Sequence, residues 1–173
     1  MTVGEITIRR MRLEDVPAVH EIDTLSFSLP WPERSFRFEV IENAVSRGWV
    51  AEAEVNGETR IIGMLVLWLL VDEAHIATVA VHPDFQRCGI GSRIIVEALE
   101  AARVEGARRA FLEVRERNLA AQEMYRKFGF AITSRRPRYY RDTGEDAILM
   151  TLEGLNAETF EHVNVKTRQR VNV

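Results

Sequence analysis

The sequence predicts one α/β domain of the α+β kind: a single mixed, mostly antiparallel central sheet with helices on both faces. Three observations carry that reading. Short apolar runs of strand length and longer runs of helical period follow each other in the order β-α-α-β-β-β-α-β-α-β-β. Asn56-Gly57, between "WVAEAEV" and "RIIGMLVLWLLV", signals a tight hairpin, so the middle of the sheet is antiparallel. The strands after it are interrupted by helices, which must cross over the sheet and cover its faces. With 173 residues, 46% of them hydrophobic, the chain can bury one substantial core and is short for two.

The elements follow in order. "EITIRRM" alternates as an opening strand. "LEDVPAVHEIDTLSF" spaces Val16, Val19 and Ile22 as a helix, with Asp15 and Pro17 in the first turn, where an acid and a proline are best tolerated. "LPWP" breaks the chain, and "ERSFRFEVIENAVS" predicts a second helix ending before Gly48. The Asn56-Gly57 hairpin follows, then "EAHIATVAV" as the next strand. "IIVEALEAARVEG" is a helix closed by Gly106, and "RAFLEV" is a strand. Asn118 caps "LAAQEMYRKF" and Gly129 ends it. "FAITSRRPRYYR" and "EDAILMTL" predict a last hairpin around Asp142-Thr143-Gly144. The domain is placed at residues 1–152; residues 153–173 are polar and weakly periodic, an extension of unknown role.

Composition excludes several classes. A net charge of −3 gives no general affinity for nucleic acid. One cysteine, Cys88, makes neither an internal disulfide nor a cysteine-based zinc site, so no metal is expected. A lone thiol favours a reducing, cytoplasmic setting. "MTVGEITIRRMRLED" has no secretory apolar region, and the longest apolar run, Ile61 to Val71, is too short to span a membrane, so none is expected as a partner.

"HPDFQRCGIGSR" lies where a β-branched strand must give way to a helix. A helix N-terminus offers unsatisfied N–H groups and the positive end of the macrodipole, and glycines let the backbone close around an anion. Taken alone, this Gly-x-Gly reads equally well as a tight strand–helix turn. Two other phosphate loops are excluded: Gly91 is followed by Ser92 and Arg93 instead of a Lys and a hydroxyl, and Ile94 stands where a dinucleotide loop needs a third glycine.

What remains, Gln86-x-x-Gly89-x-Gly91 after "VAVHPDF", closely resembles the acyl-CoA pyrophosphate loop of the GNAT superfamily of N-acetyltransferases. The resemblance runs from about Ile6 to Leu152. "LEVRERNLAAQEMYRKFGF" is similar to the strand, helix and Gly-Phe turn that follow in that superfamily. "YYRDTGEDAILM" resembles its N-terminal-amine branch, and "FSLPWPERSF" resembles the RimI-like members, which acetylate the N-terminal amine of a ribosomal protein. Cys88, at an often basic loop position, and Gln122, where a branched apolar residue is usual, depart from the pattern.

The resemblance implies the GNAT acyl-CoA N-acyltransferase fold, with acetyl-CoA as cosubstrate and direct transfer to a protein or peptide N-terminus, a ribosomal protein among the expected acceptors. It places the cofactor on Gln86, Arg87, Cys88, Gly89, Ile90, Gly91 and Ser92, on the backbone of Val79 and Val81, and on Asn118 and Tyr125. Val79 and Val81 read equally as sheet core. Glu113 shares a strand face with Phe111 and Arg115. By itself it reads as an ion-pair partner of Arg115 or Arg117; the resemblance makes it the general base. Tyr125, in an apolar helical stripe, reads as core, and the resemblance makes it the acid for the departing thiolate, suited to that by an ordinary pKa near 10. His75 opens its strand and is an auxiliary proton-relay candidate. Phe27, Leu29 and Trp31 would face Tyr139 and Tyr140 around the acceptor peptide. An acidic residue at the place of Leu29 goes with N-terminal methionine in some related enzymes, so Leu29 leans toward small first residues. A small-amine or lysine acetyltransferase and a silent acyl-CoA-binding module stay open as alternatives, and a monomer or weak dimer is expected.

Overall fold

The computed structural model describes residues 3–159 and 161. Seven strands form one sheet in the order β1-β2-β3-β4-β5-β7-β6. The strands are β1 (Val3–Arg10), β2 (Ser46–Val55), β3 (Glu58–Leu70), β4 (Glu73–Val81), β5 (Arg109–Arg115), β6 (Ala131–Arg136) and β7 (Ala147–Leu152). All neighbouring strands are antiparallel except β4 and β5, which are parallel. The helices are α1 (Val16–Ser26), α2 (Glu33–Ile41), α3 (Ile90–Val104) and α4 (Leu119–Lys127). Element order and the mostly antiparallel sheet are as the sequence predicts.

The apolar periodicities decide which face each helix covers. On α3, Ile90, Ile94, Ile95, Ala98, Leu99 and Ala102 recur at three- and four-residue spacing and are buried with Tyr125 and Phe128 from the α4 side. On α1 and α2, Val16, Val19, Ile22 and Phe36 are buried against the opposite face, with Met64 and Val66. The long run of β3 is continuous and not alternating because the strand has a core on both sides: Leu65 and Leu67 serve one, Met64 and Val66 the other. Gly63 lets α3 come close, since a Cβ there would lie 2.8 Å from Ile94 Cδ1.

Three elements differ from the sequence reading. The second helix stops at Ile41 instead of running to Ser46: Asn43 Oδ1 accepts the Val45 N–H at 3.3 Å, and the Asn43 carbonyl accepts the Ser46 N–H at 3.0 Å, a local turn that competes with the helix. β6 stops at Arg136 because Pro137 has no N–H for the ladder, so "PRYYR" belongs to the connection and not to the strand. The core also continues past residue 152, since Leu155 is buried and its N–H donates to the Arg108 carbonyl at 2.7 Å. Of the extension, residues 160 and 162–173 lie outside the described residues.

β4 and β5 pair over only four positions, Glu73↔Arg109 to Ile76↔Leu112. At Ala77 the register of β4 against β3 shifts, a bulge between Ile76 and Thr78. Beyond it β4 stays on β3 and β5 stays on β7, so the two parallel strands part. α3 follows the free end of β4, and α4 follows the free end of β5.

Candidate active site

Strand alternation decides which backbone groups face the gap. The His82 N–H donates to the Ile62 carbonyl at 2.9 Å and so points toward β3. Successive residues point opposite ways, so the N–H and C=O of Val81 and Val79 point away from β3, into the space that β5 has left. Gln86 Nε2 donates to the Val81 carbonyl there at 3.1 Å. Past Val81 a turn at Pro83–Phe85, with His82 Nδ1 accepting the Asp84 N–H at 3.3 Å, leads to the glycine loop. Arg87 (φ 65°) and Gly89 (φ 77°) are both left-handed, which turns successive backbone N–H groups to one side. Gly89 is the N-cap of α3 and no side chain caps that end. The first helical bond is from Arg93 N–H to the Gly89 carbonyl, so the amides of Ile90, Gly91 and Ser92 have no partner within the helix. A Cβ on Gly91 would lie 3.6 Å from Val81 Cγ2, so loop and strand form one continuous surface. Cys88 is exposed on it, and Ile90 is turned into the core.

Glu113 is the first β5 residue beyond the last β4–β5 pair, at the apex of the gap. It is half-buried, and its partner is Arg136, at 3.0 Å from Nη1 to Oε1, instead of Arg115 or Arg117. Arg115 is spent elsewhere, bonding Asp142 at 2.9 Å and 3.0 Å and lying 3.5 Å from Glu145. The Glu113 carboxylate charge, with burial behind it, raises the pKa of the Tyr139 phenol. Burial, and then Glu113, pushes Tyr140 up to about 12. His75 stands in register with Phe111 on the same sheet face as Glu113. Burial lowers its pKa below the ordinary histidine value, opposed by the Glu113 charge, so the imidazole is neutral at neutral pH and can take a proton. Trp68, its cross-strand neighbour, meets it edge-on at 5.5 Å and is itself held by Glu39, which accepts from Nε1 at 3.0 Å.

Tyr125 approaches from the other sheet face, packed in the α3–α4 core with its ring 5.9 Å from Phe130. Burial raises its pKa well above the ordinary tyrosine value, with the Tyr140 phenol adding to the shift. The phenol is therefore shifted from the ordinary value expected of it, and Tyr125 stays protonated at neutral pH. Asn118 caps α4 by accepting the Ala121 N–H at 3.1 Å. Gln122 is buried because its amide donates to the carbonyls of Arg115 (3.2 Å) and Glu116 (2.8 Å), tying α4 to the end of β5.

An open cleft of about 650 Å³ is lined by Leu29, Pro137, Arg138, Tyr139, Tyr140 and Arg141, so the "LPWP" loop and the "RYYR" segment do meet. Asp142 joins them: it accepts a hydrogen bond from Ser28 and pairs with Arg115, whose guanidinium lies 4.0 Å from the Tyr140 ring centre. Trp31 is not among the lining residues. Its N–H donates to buried Asp23 at 2.7 Å, and its ring lies against Phe36 and stacks on Trp68 at 6.4 Å. Phe27 is exposed at the end of α1, also outside the cleft lining. Arg136, Glu39 and Gln122 join the site only in the fold. The one local signal that pointed to any of them is Gln122, a polar residue on an otherwise apolar helix face. Among the described residues, no cluster of His, Cys, Asp or Glu is placed to hold a metal ion, and no helix is long and apolar enough to cross a membrane.

A splayed parallel strand pair, a glycine loop on an open helix end and proton-handling groups at the apex define an acyltransferase-like site. Residues 16–130 match the Acetyltransferase (GNAT) family, and the chain belongs to that family. The E. coli (strain K12) [ribosomal protein bS18]-alanine N-acetyltransferase is 31% identical over 148 residues, covering 84% of this chain and 96% of that protein. A Bacillus subtilis (strain 168) relative, whose name provisionally assigns it the same activity, is 37% identical over 143 residues, covering 83% of this chain and 92% of its own. The crystal structure of the ribosomal-protein-S18-alanine N-acetyltransferase from E. coli superposes with a TM-score of 0.77 at 29% identity, over 88% of this chain and 96% of that one.

Asp142 gives a check on the loop-to-loop tie. Arg115 and Ser28 hold its carboxyl down to about 2, below the unfolded value of about 3.9. A folded value below the unfolded one means that the tie stabilises the loops above about pH 4 and is lost as pH falls toward 2. In a carbon-detected NMR titration Asp142 titrates near pH 2, and Arg115→Gln moves the midpoint up toward about 3.9. A native midpoint already near 3.9 contradicts the tie.

Proposed function

We propose that the chain transfers the acetyl group of acetyl-CoA to the N-terminal α-amine of a protein, with a ribosomal protein as the leading candidate acceptor. It would act in the cytoplasm as a monomer or weak dimer, without metal or nucleic acid. The observation that carries the reading is the gap between β4 and β5. Its wall is the outward-facing backbone of Val79 and Val81, its far end is the uncapped start of α3, and its apex holds Glu113 and His75, with Glu113 acting on Tyr139 and Tyr140 of the cleft lining. The relatives named for acetylating a ribosomal protein's alanine support the same acceptor class.

The residues fit acetyl-CoA. The amides at Ile90, Gly91 and Ser92, turned by left-handed Arg87 and Gly89, suit a pyrophosphate. Val79 and Val81 suit an extended amide chain that adds to the strand, with Asn118 and Tyr125 on its β5 side. Bound acetyl-CoA supplies an activated thioester. The chain's own work is then proton management and orientation. An α-amine is mostly protonated at neutral pH, with an ordinary pKa of about 7.7–8.0, so it must shed a proton before it attacks. Glu113 and neutral His75 stand together to receive that proton through water. A donor in the Val81 backbone can polarise a carbonyl placed beside it. The Tyr125 hydroxyl, protonated at neutral pH, can hydrogen-bond a departing thiolate. Leu29, Tyr139 and Tyr140 hold the peptide behind its first residue.

Two peptides test the acceptor: one with a free N-terminus and no lysine, the other N-terminally blocked with an internal lysine. A lysine amine is harder to deprotonate by about 2.5 pKa units, about 3.4 kcal/mol at neutral pH, so the free N-terminus is acetylated far faster. Equal or faster acetylation of the blocked peptide overturns the α-amine reading. With the preferred peptide, Glu113→Gln lowers the rate by ~10²–10⁴ at pH 7 and leaves acetyl-CoA affinity largely unchanged, and the deficit shrinks as pH rises. An undiminished rate at pH 7 removes Glu113 from the reaction.

A further inference from the structure

Arg136 ends the outermost strand, exposed, 23 residues along the chain from the carboxylate that it touches. We propose that Arg136 is a positioning residue of the reaction: its guanidinium, pressed on Glu113, keeps that carboxylate from capturing the acceptor's amine as an ammonium ion. The inference rests on the α-amine acetyltransferase reading above.

The charged and titratable groups facing Glu113 come from every side. β4 brings His75, with Glu73 beyond it; β5 itself brings Arg115; β6 brings Arg136; the β6–β7 connection brings Tyr139 and Tyr140. Arg115 is committed to Asp142 and Glu145, and Arg135 to Glu116 and Asp146. Among the described residues Arg136 is thus the cation in contact with Glu113, at 3.0 Å. Its guanidinium lies 5.6 Å from the ring centre of Tyr139, whose phenol feels the charge of the same carboxylate. The guanidinium lies on one carboxylate oxygen, and with about four lone-pair positions on a carboxylate there is room for a water that carries a proton.

The consequence concerns the acceptor. A half-buried carboxylate without a counter-ion attracts a cation, and the α-amine is a cation below about pH 7.7–8.0. An ammonium has no lone pair, so holding it is ground-state binding of an unreactive form. With Arg136 already in the cation's place, Glu113 has less pull on the protonated amine, and the neutral form is not disfavoured at the apex. Arg136 also fixes the carboxylate where a relayed proton arrives. The Arg136 charge also helps to hold His75 neutral, so its loss shifts the acid limb by that route as well. The fall in peptide KM is what separates the two, and a limb that moves with no fall in KM assigns Arg136 to His75 alone and overturns the inference.

The test is the single-turnover acetylation rate of a lysine-free peptide by enzyme in excess over acetyl-CoA, with the peptide varied up to saturation, followed against pH for wild type, Arg136→Gln, Arg136→Met and Arg136→Lys. Single turnovers keep product release out of the profile. The two neutral variants move the acid limb up by about one pH unit and lower the peptide KM at pH 7, while Arg136→Lys restores the wild-type limb. Neutral variants whose limb stays in the wild-type position, whether or not the rate falls, overturn the inference and leave Arg136 a structural residue. A lysine variant that shifts as far as glutamine does so too. A wild type that acetylates the peptide at no pH fails the reading beneath, and the inference falls with it.

Discussion

The site depends on the parting of two parallel strands. β4 and β5 hold together for four residue pairs and then separate, because a bulge at Ala77 turns β4 while β5 stays in register with β7. A sheet interior rarely leaves strand backbone unpaired, since each buried N–H and C=O needs a partner. Here Val79 and Val81 face the gap, next to the carboxyl ends of the one parallel pair among the described residues and the start of α3. The rest of the fold keeps the opening in shape: α3 sits closely over β3 at Gly63, and buried Gln122 ties α4 to the end of β5.

Around the apex, charge is distributed by partnership. Three carboxylates there, Glu113, Asp142 and Glu145, are met by two arginines, Arg136 for the first and Arg115 for the other two, and both guanidiniums also lie over tyrosine rings, those of Tyr139 and Tyr140. The two tyrosines meet edge-on at 5.2 Å, so ions and rings form one connected layer under the cleft. Burial then separates the proton-handling groups: it moves His75 toward neutrality and holds the Tyr125 and Tyr140 protons firmly. A neutral imidazole beside phenols that do not ionise suits the amine acylation proposed above.

Much of this was legible in the sequence. The strand and helix order followed from period and punctuation, and the glycine loop from its place between a β-branched strand and an amphipathic helix. Glu113 and His75 were each singled out as candidates, and the β4–β5 register then put them on one face. Other features were not local. Arg136 reaches Glu113 across β7, a pairing set by sheet order β5-β7-β6, and nothing in "SRRPRYY" separates it from Arg135. Trp31 had the composition of a pocket wall, but buried Asp23 takes its N–H and Trp68 takes its ring. The early end of α2 came from Asn43, a residue whose side chain competes with helix hydrogen bonds in a way that hydrophobic period does not register.

The central claim is that the gap-facing backbone of β4 is a docking strand for the cofactor. Amide hydrogen exchange by NMR, with and without saturating acetyl-CoA, reads it directly. The amides of Val79 and Val81, and of Ile90, Gly91 and Ser92 at the start of α3, become strongly protected on binding, while those of β1 and β2 at the far edge of the sheet do not change. Binding without protection of Val79 and Val81 would place the cofactor elsewhere and contradict the account.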